Sequence, residues 1–138
     1  MLATLSADVS TQLPDIAKKL LDAQVFVTVS TLNPDGGPHA SVLWATYDGD
    51  DILLSTVVGR AKERNWRRDP RVSVLFFDPA TPYNYVEVRG RVELTTDGGP
   101  ELIQRLSQLY TGGPYTGDEG TDNVRVVARV KADKVITR

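Results

Sequence analysis

The run Tyr85-Val86-Glu87-Val88-Arg89-Gly90-Arg91-Val92-Glu93-Leu94-Thr95-Thr96 decides the fold class of this 138-residue chain. Successive side chains of a strand point to opposite faces. Val86, Val88, Gly90, Val92 and Leu94 therefore share one face, and Glu87, Arg89, Arg91 and Glu93 the other. Gly90 interrupts an otherwise strong strand, which marks a bulge or a close backbone approach.

Working outward, Arg71 to Phe77 alternates Val72, Val74 and Phe76 against Ser73, Leu75 and Phe77. Both sets are largely apolar, so this strand is expected to be buried on both sides. Further upstream, Val25 to Leu32 ends at the turn Asn33-Pro34-Asp35-Gly36-Gly37, and His39 to Tyr47 reads as its partner strand. Asp48-Gly49-Asp50 turns the chain into a third strand, Asp51 to Val57, and the three together read as an antiparallel meander. Downstream, Val124 to Val130 closes the sheet and Val135-Ile136 extends it.

Helical spacing occurs in three places. Leu13, Ile16, Ala17, Leu20 and Leu21 mark a helix over 13–23, with Pro14 in its first turn. Arg60 to Asp69 reads as a short helix stopped by Pro70. Leu102, Ile103, Leu106, Leu109 and Tyr110 share one helix face, with Pro100 at its start. The Gly-rich stretch 112–120 reads as a loop that is mobile or ordered by a ligand. Six strands with only short helices make a mainly β chain, and this even spacing predicts a six-stranded antiparallel barrel in one domain spanning 1–138.

Composition narrows the chemistry. The chain has no cysteine, which removes disulfides and thiolate sites, and its single histidine, His39, argues against a His-based metal cage or a Ser-His-Asp triad. His39 follows a turn and reads as a surface residue. No apolar run reaches the length of a membrane span, and Met1 to Leu5 lacks the features of a secretory leader, so the expected compartment is the cytoplasm. The formal net charge of −2 argues against nucleic acid as a partner. Its distribution is uneven: Arg60, Lys62, Arg64, Arg67, Arg68 and Arg71 face only Glu63 and Asp69 within the same stretch, a basic patch on an acidic protein. Such a patch points to a local anionic partner.

Helix electrostatics divide that patch. Arg67, Arg68 and Arg71 stand late in the helix, where cations complement the negative end or are simply solvated. Arg60 and Lys62 stand in the first turn, where the helix end is itself positive, so an anion is needed beside them. Gly59 lets the backbone turn closely around it. Asn65, one turn after Ala61, is placed to donate its amide to the same anion, and Ser55 and Thr56 supply hydroxyls at the end of the preceding strand. Neither GxGxxG after a strand nor GxxxxGK[ST] is present, so a Rossmann site and a P-loop are both unsupported.

The run Leu54-Ser55-Thr56, continued by Arg60-Ala61-Lys62-Glu63-Arg64-Asn65-Trp66-Arg67-Arg68-Asp69-Pro70-Arg71-Val72-Ser73, resembles the pyridoxamine 5′-phosphate oxidase-like FMN-binding split barrels. Within them it is most similar to the short reductases that depend on the deazaflavin coenzyme F420. The resemblance continues in Asn33-Pro34-Asp35-Gly36, in Pro38 to Trp44, and in Pro82-Tyr83-Asn84-Tyr85-Val86-Glu87-Val88-Arg89-Gly90, and covers residues 13–138. It implies a split barrel that forms homodimers, with two cofactor sites at the subunit interface.

By the same resemblance, Arg60-Ala61-Lys62 would hold the cofactor phosphate, or the phospholactyl–glutamyl tail of F420. Ser55 and Thr56 would line the groove. Ser41, Val42 and Leu43 would lie along the ring system, and Tyr83 and Tyr85 would come from the opposite subunit. Trp44 and Trp66 read as packing residues. The implied activity is hydride transfer between F420 and a small unsaturated or quinone-like organic substrate. FMN in place of F420, or a carrier protein without turnover, are the alternatives. The cofactor carries the chemistry, so no catalytic acid or base is nominated.

Overall fold

The computed structural model describes residues 11–138, so the reading of Met1 to Leu5 lies outside the described residues. Its elements are α1 (Asp15–Asp22), β1 (Val27–Leu32), β2 (Pro38–Leu43), β3 (Thr46–Asp48), β4 (Asp51–Val57), α2 (Ala61–Arg68), β5 (Arg71–Phe77), β6 (Tyr85–Thr95), α3 (Gly99–Thr111) and β7 (Arg125–Thr137). All strand pairs are antiparallel, in the order β2-β1-β5-β6-β7-β4-β3.

Seven strands stand where six were expected. The segment 39–47 is not one strand: it breaks at Trp44 and Ala45 into β2, which pairs with β1, and β3, which pairs with β4. The expected meander is therefore two hairpins at opposite edges of the sheet. Only two residues link those edges, so the sheet must curl until they lie side by side. No ladder joins β2 to β3 among the described residues, and that gap is the split of a split barrel. Tyr110 of α3 fixes the corner: its hydroxyl donates to Val25 O at 2.7 Å and accepts from Ala45 N–H at 3.1 Å.

The main core fills the inner face. Val27 and Val29 of β1, Val72, Val74 and Phe76 of β5, Val86, Val88 and Val92 of β6, and Ile52 and Leu54 of β4 meet there. Leu13, Ala17, Leu20 and Leu21 bring α1 to the same core, and Trp66 brings α2. Helix α3 instead covers the outer face of β4 and β7, where Leu102 and Leu106 pack on Leu53 and Val127. The register between β6 and β7 shifts at Arg89/Gly90, as the interrupted alternation predicts. A Cβ on Gly90 would sit 2.0 Å from Lys131 O, so only glycine fits there.

One expectation fails on β5. Its second apolar set is not buried: Leu75 and Phe77 are exposed, because no helix of the described residues covers the outer face of β1, β5 and β6. They share an open groove of about 390 Å³ with Thr28, Ser30 and Tyr85. The 112–120 loop is tied to α3. Gln104 of α3 clamps it by accepting from Tyr115 N–H at 3.0 Å and donating to Tyr115 O at 2.9 Å. Ser107 adds a hydrogen bond to Gly113 O at 2.8 Å.

Candidate functional site

The end of β4 and the start of α2 build the candidate site. Gly59 takes a positive φ of 92°, which turns the chain between them. Glu63 then reaches back and accepts from Gly59 N–H at 2.8 Å, satisfying an amide just before the helix, while Arg67 pairs with the same buried carboxylate at 2.6 Å. That carboxylate is thus engaged inside the turn and offers nothing to the cations before it.

The basic run separates into partnered and unpartnered members. Arg64 donates to Gly59 O, Arg68 to Leu32 O and Asn65 Oδ1, and Arg71 pairs with Asp69 at 2.7 Å. The Arg71 guanidinium holds the Asp69 carboxyl down at about 2. Arg60 and Lys62 have no ion pair among the described residues. Burial pushes the Lys62 ammonium below its ordinary value, and repulsion from Arg60 and then Arg125 pushes it further. Two unpaired cations at a helix N-terminus, crowded by a third, form a place that an anion stabilises.

Beside them opens a cleft of about 220 Å³. Val42 and Leu43 of β2, Ser55 of β4, and Arg60 line it, joined by Arg125 from the start of β7. Its wall is aromatic: Trp44 stacks on Tyr110 with centroids 5.5 Å apart and meets Tyr115 edge-on at 6.4 Å. Phe26 and Val42 stand at the mouth, 62% and 64% exposed. Arg125 is only 7% exposed. Its guanidinium lies over the Tyr115 ring, donates to Tyr115 Oη at 3.0 Å and pairs with Asp118 at 2.7 Å.

The sequence-derived residues divide accordingly. Val42, Leu43, Ser55 and Arg60 share the cleft, with Ala61 and Lys62 in the adjoining first turn of α2. Thr56 does not face it. Ser55 shares a face with Leu53, under α3, whereas Thr56 follows Leu54 into the barrel core, where its hydroxyl has no partner. Ser41 lies opposite Val29 on the inward face of β2, its Oγ buried and unpartnered.

Asn65 turns away from the cleft. Its Nδ2 donates to Thr31 Oγ1 at 2.8 Å and Asn33 Oδ1 at 3.1 Å, which ties α2 to the β1–β2 turn. The reading that placed its amide on the anion is corrected by those bonds. Tyr83 is 89% exposed, and Tyr85 lies in the outer groove of β1, β5 and β6, so neither joins the cleft of its own chain. His39 is not a surface residue but half-buried, on the face of β2 that carries Ser41.

Sequence reasoning missed Arg125 and the cleft role of Trp44, and took Tyr115 only as part of a loop able to cover the pocket. A signal for Arg125 was present: a lone cation opening the apolar run Val126-Val127-Ala128 must be paired when buried.

Among the described residues no group of three or more His, Cys, Asp or Glu side chains is placed to hold a metal ion. No helix of the described residues is long and apolar enough to cross a membrane.

Comparison with known proteins places this geometry in a family. A protein named F420 reductase is similar over 90% of this chain and 98% of its own, with 30% identity and a TM-score of 0.79. A conserved hypothetical protein from Mycobacterium tuberculosis is 28% identical, with a TM-score of 0.72 over 98% of this chain and 89% of its own. General Stress Protein 26 from Bacillus anthracis shares the fold at 15% identity, with a TM-score of 0.65 over 86% of this chain and 88% of its own. The pyridoxamine 5′-phosphate oxidase family model matches residues 13–138, and with nearly the whole described chain inside that match the protein belongs to this family of split barrels.

Proposed function

We propose that the protein is an F420-dependent oxidoreductase that moves a hydride between the deazaflavin and a small unsaturated or quinone-like organic molecule. One observation carries the reading. Of the six cations between Arg60 and Arg71, Arg60 and Lys62 are the two whose side chains have no hydrogen bond or ion pair among the described residues, and Arg60 lines the cleft. The 30% identity to a protein named F420 reductase supports the choice of cofactor.

The residues present fit such a group. Arg60 and Lys62 bind its phosphate, and Ser55 Oγ, in the same cleft, is a further donor. Strand β2 is an edge of the sheet, so outward backbone N–H and C=O groups beside Val42 and Leu43 are available to the polar rim of a ring system. Trp44 and Tyr115 give the cleft an aromatic wall. When bound, the deazaflavin supplies the two-electron chemistry; the protein orients it and shapes the substrate space. No side chain is assigned as acid or base.

The uncovered outer face of β1, β5 and β6 is taken to be the surface that a second copy covers. Leu75 and Phe77 lie there, and Tyr83 and Tyr85 are offered to the partner's cleft. The protein is assigned to the cytoplasm as one domain. FMN is the second reading, because a grip on phosphate alone does not discriminate between the two ring systems.

Fluorescence titration with F420 and FMN side by side tests the proposal. Stoichiometric binding of F420 that survives gel filtration, with FMN lost, is the expected result. A yellow protein as purified, retaining FMN but not F420, would replace the cofactor. Tight F420 binding with no oxidation of the reduced form across a panel of enones, quinones and nitroaromatics would make the protein a carrier.

A further inference from the structure

Arg125 stands in the cleft wall and is also tied to the 112–123 loop. Its Nε donates to Asp118 Oδ2 at 2.7 Å and its Nη2 to Asp118 Oδ1 at 3.1 Å, a two-bond fork. Nη2 also reaches Tyr115 Oη at 3.0 Å, while Nη1 lies 3.4 Å from Ser55 Oγ, inside the cleft. Among the described residues Asp118 is the one carboxylate paired with a cation that lines the cleft. Glu63, the nearest other acid in sequence to Arg60 and Lys62, is turned to Gly59 and Arg67.

The loop has other ties besides this charge pair. Gln104 holds the Tyr115 backbone at both its N–H and its carbonyl, and Ser107 holds Gly113 O. Asn123 Nδ2 donates to Asp118 Oδ1 at 2.9 Å, and Thr121 Oγ1 to Asp118 O at 2.7 Å. The fork therefore has an electrostatic consequence separable from loop geometry. A buried guanidinium without a counter-charge would draw a further anion into the cleft.

We infer that Asp118 is a specificity-determining residue: its carboxylate offsets the charge that Arg125 adds beside Arg60 and Lys62, and so limits how much negative charge the cleft accepts. This rests on the reading of Arg60 and Lys62 as the anion grip. Freed of Asp118, the same cleft would hold any phosphate ligand more tightly and discriminate less between phosphate and more highly charged groups.

The test is a charge cycle on the full chain, read by fluorescence titration with two probes: F420 and its phosphate-free deazaflavin alcohol. Asp118→Asn keeps an oxygen for Arg125 and removes the charge; it is expected to tighten F420 about tenfold, a unit charge acting across about 10 Å at the effective dielectric of a protein surface. Binding of the alcohol stays unchanged. Arg125→Gln leaves Asp118 uncompensated and weakens F420 by a similar factor. The double variant returns to within about twofold of the wild type.

Unchanged F420 affinity in Asp118→Asn overturns the inference. So does a double variant that binds F420 as poorly as Arg125→Gln, which would make Arg125 a direct ligand. Asp118 is partly exposed, so its variant decides the matter even where the buried Arg125→Gln change prevents folding. The grip fails by a different result: an Arg60→Ala/Lys62→Ala protein that still prefers F420 to the alcohol. The Asp118→Asn ratio is read independently of that outcome.

Discussion

Six cations lie within twelve residues of this chain, and the two ends of α2 hold them in different ways. At the C-terminal end, Arg67 pairs with Glu63, Arg68 caps the carbonyl of Leu32, and Arg71 pairs with Asp69 just beyond the helix. At the N-terminal end, Arg60 and Lys62 are left to a helix terminus of their own sign. Sequence distance along the helix is small and the side-chain charge is the same. What differs is whether the fold supplies a carboxylate or carbonyl partner, and that difference separates structural cations from those held ready for a ligand.

Four experiments bear on this contrast. The largest effect is expected from Arg60→Ala/Lys62→Ala, which removes two charge-assisted contacts worth about 1.5–3 kcal/mol each. F420 affinity, followed by fluorescence, should fall at least about 100-fold, while the thermal midpoint stays where it is. Next comes Asn65→Ala, which leaves the buried Thr31 hydroxyl without its partner. It should cost about 2 kcal/mol in urea denaturation and leave cofactor affinity intact, the reverse of the first pattern.

The third experiment uses pH. Lys62 holds an anion only when protonated, and its environment sets its free-state value below that of an ordinary lysine. Affinity should therefore be level at neutral pH and fall as pH rises through that lowered value, before an unperturbed lysine would titrate. Lys62→Arg, which stays charged, should remove that fall. The smallest effect is Arg71→Ala: its pair with Asp69 is on the surface. No measurable change in affinity is expected, and any loss would move the anion site toward the far end of the helix.

Much of this was legible in the chain, for reasons that can be located. The alternation over 85–95 and the break at Gly90 are local, so β6 and its bulge could be read directly. The division of the basic run followed from helix polarity, although the partners of Arg67, Arg68 and Arg71 were not foreseen. The corner at Trp44 and Ala45 carries no glycine or proline; it is held by Tyr110, some 65 positions away, and no local signal marks it. Leu75 and Phe77 look like core residues because apolar side chains do not say which neighbour covers them. Asn65 was misread for a related reason: a helix position gives the side of the helix, not the partner. Thr31 and Asn33 were already there to take its amide.

The cleft shows the same limit. Val42, Leu43, Ser55 and Arg60 come from segments whose residues carried the resemblance, and they converge. Arg125 comes from a stretch read only as a closing strand, and Tyr115 from a Gly-rich loop able to cover the pocket, with no partner foreseen for either. Their meeting depends on the pairing of β4 with β7, which sets Ser55 opposite Val127 and draws the Arg125 guanidinium to the Ser55 hydroxyl.

The central claim is that Arg60 and Lys62 hold the phosphate of the cofactor, and a crystal structure of the protein with bound F420 tests it most directly. The distance to be measured runs from the phosphate oxygens to the Arg60 guanidinium and to Lys62 Nζ. Both should lie at about 2.7–3.2 Å, with Ser55 beside the same group. A phosphate seated elsewhere, with Arg60 and Lys62 still in water, would contradict the account.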